Sequence, residues 1–267
     1  MTKELNGREL SLYIKERQAK EVRRLKAERR APKLVIIRDN DAAVIEKYVN
    51  LKKRYGEDIG VEVIDRVCES AKELKEKICE ANEDKSVAGI IVQLPLKDKE
   101  MTDEVVAGIA PEKDVDGLSG KGKFDSATAT AINWLLGGYN IELEGKKIAL
   151  VGRGRLVGAP LLTMFKNSGY DVTVFRSKDS LEPLNNYDVI ITATGVPHLI
   201  KNKHVKPGAV VVDAGTASED GVIVGDVDEE VRGREDLGAI TPKIGGVGPM
   251  TVTLLFENVI RAAGLVK

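Results

Sequence analysis

The stretch Lys146 to Pro160, KKIALVGRGRLVGAP, constrains the fold of this chain more than any other. An apolar run, Ile148 to Val151, ends in a glycine-rich turn and passes into a helix beginning near Val157. This is the order in which a buried parallel strand delivers backbone to a phosphate. Gly152 and Gly154 have no side chain to block the approach of a pyrophosphate, and a helix N-terminus turns free N–H groups and a positive dipole end toward an anion. The spacing from Gly152 through Gly154 to Gly158 is Gly-x-Gly-x-x-x-Gly, one residue longer than the commoner dinucleotide fingerprint. Gly152, Arg153, Gly154, Val157 and Gly158 are therefore candidate cofactor-binding residues.

The surrounding pattern alternates between strand and helix. A broken helical stripe over residues 7 to 28, with Leu10, Ile14, Val22 and Leu25, predicts a helix packed on one face. Strands are expected at Leu34 to Ile37, Val61 to Ile64 and Ala88 to Val92, with helices over Ala42 to Glu57 and Ala71 to Ala81 between them. That is a βαβαβ unit around a parallel sheet. The loop after its first strand, Arg38 to Asp41, holds no glycine, so this half needs a different ligand. A short helix closing at Val105 to Ile109 and the polar, turn-rich run Pro111 to Gly120 suggest a domain boundary. Helix returns at Thr128 to Leu136. A second alternating unit follows, with strands at Ile148, Val172 to Phe175, Val189 to Thr192 and Ala209 to Asp213. A turn at Asp220 and Gly221 comes next, and a last helix starts near Pro249 and stops at Gly264.

At 267 residues the chain suits two domains, and a formal net charge of -1 with 31% charged residues gives no basic surface for nucleic acid or membrane. The expected partner is small. Cys68 and Cys79 have no metal-like spacing, and His198 and His204 have no ligand partners, so no metal site is expected and both histidines read as surface residues. With no apolar leader at the N-terminus and no run of about 18 apolar residues, a soluble, cytoplasmic protein is expected.

Chemistry is concentrated in few places. Phe175, Arg176, Ser177 end the second strand of the later unit, where an NAD site commonly carries an acidic residue for the ribose hydroxyls. An arginine there, with Arg153, favours a 2′-phosphate and hence NADP, although a solvated loop arginine reads the same way. Tyr48 and Lys52 are four apart on one helix and share a face, as packing residues also do. Gln93 ends an apolar strand, the end at which open α/β sheets bind ligands. Asp114 and Asp116 in the boundary loop could face the same crevice or simply form turns.

Five runs occurring in register resemble one family: Tyr48-Val49-x-x-Lys52, GIIVQLPL from Gly89, KDVDG from Lys113, GRGRLVGAP from Gly152 and GGVGPMT from Gly245. Together they are similar to the methylenetetrahydrofolate dehydrogenase/cyclohydrolases. The resemblance implies two α/β domains around a cleft. Residues 1–120 with 247–267 would form a folate-binding catalytic domain, and 121–246 a Rossmann-type NADP domain, with the last helix packing back on the first. It implies NADP-dependent oxidation of a tetrahydrofolate derivative followed by hydrolysis, usually in a homodimer joined through the NADP domains. By position, Lys52 is the main catalytic group, Gln93 tunes it, Tyr48 stacks along the folate, and Asp116 with Gly245 and Gly246 meets the pterin. Arg153 and Ser177, with Arg176, Thr194 and Gly195, complete the cofactor set. The chain departs from the family at Ser126 to Ala129, Gly154, Phe175-Arg176 and Lys243-Ile244; Lys52, Gln93 and Asp116 are untouched.

Overall fold

The computed structural model describes residues 1–219 and 222–265. The expected turn at Asp220 and Gly221 lies outside the described residues. In chain order the first elements are β1 (Lys3–Glu4), α1 (Gly7–Ala27), β2 (Lys33–Arg38), α2 (Ala43–Ile59), β3 (Glu62–Val67), α3 (Ala71–Glu83), β4 (Gly89–Val92) and α4 (Thr102–Ala107). After them come α5 (Ala127–Gly138), β5 (Ile148–Val151), α6 (Gly158–Asn167), β6 (Val172–Phe175), β7 (Val189–Thr192), β8 (Val210–Asp213), β9 (Ala217–Glu219), β10 (Val222–Val224), α7 (Glu229–Arg232), β11 (Ala239–Ile240) and α8 (Val247–Leu265). The chain divides into two compact units. One comprises Leu12–Ala127 with Val252–Lys267, and the other Met1–Ser11 with Thr128–Thr251.

In the first unit the strands lie in the order β3-β2-β4, all parallel. Successive residues of a strand point to opposite faces, and β2 shows this directly. Leu34 and Ile36 join Ile45, Val49, Ile59, Phe256 and Val259 in one core, while Val35 and Ile37 join Leu74, Ile78, Val105 and Val106 in another. The sheet is thus covered on both faces, which is why its central strand β2 and β4 carry unbroken apolar runs, whereas the edge strand β3 is mixed. Gly56 sets the approach of α2 to the sheet, because a Cβ there would lie 2.4 Å from Val63 Cγ2. The later part of α8 packs into the first core, and Asn258 Nδ2 donates to the carbonyls of Val115 and Asp125.

In the second unit the strand order among the described residues is β1-β11-β8-β7-β5-β6, again all parallel. β5 and β7 are wholly buried, and β6 forms one edge. The opposite edge is a finding, not an expectation. Lys3 and Glu4 pair with Ala239 and Ile240, the Leu5 amide donates to the Ile240 carbonyl at 2.8 Å, and Leu5 is fully buried. Two residues carry no readable periodicity, so nothing local announces this strand.

Two local expectations are corrected. Gly264 does not stop the last helix, which continues to Leu265; a glycine in the helical region ends nothing unless the backbone turns left-handed after it. His204 is not a surface residue. It is buried, with Nδ1 accepting the Lys201 amide at 3.0 Å, and burial holds its imidazole below the usual range.

Candidate active site

The chemistry of the first unit starts from α2. Its inward stripe of Ile45, Val49, Gly56 and Ile59 is buried. Tyr48 and Lys52, on the flank of that stripe, are both half-buried. The Lys52 Nζ donates to Gln93 Oε1 at 2.6 Å, and Gln93 Nε2 donates to the Leu94 carbonyl at 3.1 Å. The amide is held at both ends, and it stands where β4 ends because its own N–H continues the ladder to the Ile37 carbonyl at 2.9 Å. Burial pushes the Lys52 ammonium below the ordinary lysine range, with the Asp116 charge opposing that shift. Burial lifts Asp116 to about 6, moderated by Lys52 and reinforced by the like charge of Asp114. The structure therefore brings Lys52 and Gln93 into contact and couples Asp116 to Lys52 electrostatically.

The loop that carries Asp116 is built by its neighbours. Lys113 Nζ donates to the carbonyls of Ala81, Asn82 and Asp84, closing the C-terminal end of α3. Asp114 is fully buried and does not face a crevice. Its carboxylate accepts from the Leu118 amide at 3.2 Å and from the Ser119 amide and hydroxyl at 2.9 and 2.5 Å. Asp114 is thus the turn former, and Asp116 is the carboxylate left for other work. Behind the site, Arg38 at the end of β2 pairs with Asp65 through Nε at 3.1 Å and Nη2 at 3.3 Å, and Lys53 joins at 2.9 Å.

The cofactor candidates sit in the second unit. Gly152 follows β5 with φ +97, and a Cβ there would lie 2.6 Å from the Ala193 carbonyl oxygen. Gly158 opens α6, and a Cβ on it would lie 2.2 Å from the Gly152 carbonyl oxygen. Gly154 has open space where a Cβ would stand, so the extra residue of the spacing is absorbed in the turn. No side chain caps the start of α6 at Val157; the Ala159 amide is taken by the Gly154 carbonyl at 2.9 Å and Pro160 has no N–H, so within the first turn it is the Gly158 amide that is placed to meet an anion. Arg153, Arg176 and Ser177 are exposed, and the Arg176 amide is held by Asp179 Oδ2 at 2.7 Å. Thr194 and Gly195 follow β7, Gly195 with φ +69. A backbone cradle beside exposed cations fits a phosphorylated dinucleotide. Gly245, φ +97, also lies in this unit, its carbonyl accepting the Arg8 amide at 2.9 Å, and Gly246 packs on Thr241.

Among the described residues no group of three or more His, Cys, Asp or Glu is placed to hold a metal ion, and no helix is long and apolar enough to cross a membrane. Cys68 and Cys79 are free thiols.

A doubly wound unit with a glycine cradle, in one chain with a second α/β unit that carries a half-buried lysine, defines a dinucleotide-dependent enzyme. Comparison with known proteins narrows the class. Residues 5–116 match the catalytic domain, and residues 126–266 the NAD(P)-binding domain, of tetrahydrofolate dehydrogenase/cyclohydrolase. The chain belongs to that family. It is 40% identical over 274 residues to the bifunctional protein FolD of Aquifex aeolicus, covering 97% of this chain and 94% of that protein. The crystal structure of the FolD methylenetetrahydrofolate dehydrogenase/cyclohydrolase from Campylobacter jejuni superposes with a TM-score of 0.92 at 35% identity over 99% of both chains. The Trypanosoma brucei enzyme, solved with NADP and an inhibitor, gives 0.91 at 29% identity over 98% of this chain and 97% of that one.

Proposed function

We propose that this chain oxidises 5,10-methylenetetrahydrofolate with NADP and hydrolyses the resulting methenyl cation to 10-formyltetrahydrofolate, with Lys52 serving the second reaction. The observation that carries this reading is the half-buried Lys52–Gln93 pair, 2.6 Å apart and coupled to Asp116. NADP supplies the hydride acceptor. The Asp116 carboxylate accepts hydrogen bonds from the aminopyrimidine edge of the pterin, which orients the reacting carbon for both steps. Tyr48, one turn before Lys52, stacks along the folate. Arg153, Arg176 and Ser177 hold the 2′-phosphate, and the cradle of Gly152, Gly154 and Gly158 holds the pyrophosphate.

Hydrolysis asks for an acid/base near the working pH, since water must lose a proton and one folate nitrogen must gain one as the ring opens. A lysine disfavoured as a cation by burial can take that proton and return it. Gln93 keeps the amine aimed without itself titrating. The test is a single assay on purified protein, following NADPH formation and the absorbance of the methenyl compound together. Folate-dependent NADPH formation followed by decay of the methenyl signal is the expected result. NADPH formation with a stable methenyl signal would leave a dehydrogenase alone, and no turnover a nucleotide-binding protein.

The same reading makes the protein a cytoplasmic homodimer. β6 is the open edge where a second copy of the NADP unit would add. Light scattering of the purified chain tests the mass.

A further inference from the structure

Two buried aspartates organise the end of the second unit's sheet, and neither has a part in the chemistry above. Asp213, the last residue of β8, accepts the amides of Gly215 and Asp226 on Oδ1 at 3.0 and 3.1 Å, and the Val227 amide on Oδ2 at 3.0 Å beside the Arg232 guanidinium. Both of its oxygens are well supplied. Asp226 differs. Its Oδ2 accepts the Thr192 hydroxyl at 2.6 Å, the Thr194 amide at 2.7 Å and the Thr194 hydroxyl at 2.9 Å, while its Oδ1 is buried with no hydrogen-bond partner. The carboxylate lies flat against Gly215, where a Cβ would come within 2.0 Å of Oδ1. A buried carboxylate with one bare oxygen is costly to keep, so what its other oxygen holds is the informative part.

That oxygen holds the turn after β7. Thr194 Oγ1 also accepts the Val196 amide at 3.1 Å, so the three groups on Asp226 fix Thr192 through Val196 as one piece. The piece touches the glycine loop: the Cβ position of Gly152 is 2.6 Å from the Ala193 carbonyl oxygen and 3.1 Å from Thr194 Cγ2, and the Ala193 amide donates to the Val151 carbonyl at 2.9 Å. β5 is flanked by β6 on one side and β7 on the other, so the strand order reverses at this point, where an open α/β sheet binds its ligand. Arg176 and Ser177, the 2′-phosphate candidates, follow β6. The turn held by Asp226 follows β7, on the other side of β5 and away from that phosphate.

We propose that Asp226 is a positioning residue for the dehydrogenase reaction. It fixes the Thr192–Val196 turn against the glycine loop and so shapes the part of the crevice that meets the portion common to NADP and NAD. This rests on the reading of Gly152 to Gly158 as the cofactor cradle.

The experiment measures Michaelis constants for NADP and NAD, and separately the cyclohydrolase rate on methenyltetrahydrofolate supplied without cofactor. Asp226→Ala is expected to raise both cofactor constants together by about tenfold or more, which is the loss of one good bond or more, and so to raise the ratio of cyclohydrolase to dehydrogenase efficiency. Asp226→Asn, which can present its amide oxygen to the same three donors, is expected to recover most of that loss. Thr192→Val is fully buried and nearly isosteric, so it removes one bond to Asp226 without being able to touch cofactor; a rise of several-fold in both constants is expected, and this variant keeps the test open should Asp226→Ala not fold. Unchanged constants for both cofactors would overturn the proposal, as would a rise for NADP alone or an equal fall in both activities. Gly158→Ala, which puts a methyl 2.2 Å from the Gly152 carbonyl oxygen within the cradle, is run in parallel and separates the two claims. Normal constants for both cofactors in that variant sink the cradle assignment itself, whereas raised ones beside a normal Asp226→Ala sink only the role given to Asp226.

Discussion

On the function proposed above, the two ligand-handling regions of this molecule would work by opposite means. In the first unit the working groups are side chains, Lys52, Gln93 and Asp116, half-buried and coupled, with proton affinities shifted by burial. In the second unit the candidate groups are the backbone of a glycine turn and the start of α6, with exposed arginines at the rim. One region must change what a proton prefers, which needs exclusion of water. The other must only surround an anion, which backbone geometry does without burial. The difference teaches where each is fragile: the first to loss of a single amine or of packing behind it, the second to loss of charge at its rim.

The comparison is broken most severely at Lys52. Lys52→Met keeps most of the side-chain length and removes the amine, so cyclohydrolase activity should fall by roughly 10²- to 10⁴-fold while dehydrogenase activity remains measurable and methenyl product accumulates. Simultaneous recording of NADPH and methenyl absorbance in the folded variant checks this, and normal hydrolysis with methionine at 52 would remove Lys52 from the mechanism. At the rim of the other region, Arg176→Ala should raise the Michaelis constant for NADP by about tenfold or more, the worth of one charge-assisted bond, and leave that for NAD nearly unchanged. Equal effects on both cofactors would move Arg176 away from the 2′-phosphate.

Packing behind the first region is tested at Gly56, with Gly137 of the second unit as the unpacked control. Gly56→Ala places a methyl 2.4 Å from Val63 Cγ2, and should destabilise by about 1–3 kcal/mol despite the better helix propensity of alanine. Gly137→Ala in α5, where the Cβ position is open, should instead stabilise by about 0.5–1 kcal/mol. Denaturant midpoints of the two variants with unchanged slopes decide it.

The smallest expected effects are in pH. With Asp116 at about 6, both activities should lose efficiency on the acid side with an inflection near that value. Because the Lys52 charge lowers Asp116, the dehydrogenase of Lys52→Met should show that inflection at higher pH. An unmoved limb would show that the two groups are not coupled. For stability the sign follows from linkage: the folded state holds the Asp116 proton more tightly than the unfolded chain, whose carboxyl titrates near the ordinary 3.8. Its contribution is therefore full below that value and is lost as pH rises toward about 6. Asp116→Asn should flatten stability across that window.

Local pattern made much of this legible. The glycine spacing announced a turn after a buried strand, and β5, the Gly152 turn and α6 are all where that spacing puts them. The alternation of apolar runs with helical stripes announced two parallel α/β units, and the five motifs in order announced the family. These signals are short-range: the backbone near one strand end is dictated by which residues lack a Cβ, and strand or helix by the period of the apolar positions.

Other features depended on residues far apart in the chain. Nothing in the local chemistry of KDVDG distinguishes Asp114 from Asp116, because both are loop aspartates; the family resemblance singled out Asp116, and the physical reason lies in the folded loop, which turns Asp114 onto Ser119 and leaves Asp116 coupled to Lys52. The strand at Lys3–Glu4 exists because Ala239 and Ile240 present an edge to it. His204 looked solvated until its turn folded back over it, and Asp226 was simply one acid among many until Thr192 and Thr194 met it. Burial and partnership are set by the closing of the chain on itself, and a shifted proton affinity follows from burial. The sequence by itself therefore determined the main helices and strands, their order and the glycine turn after β5, while the tertiary structure alone decided the short edge strand β1 and which of the charged residues were buried and against what.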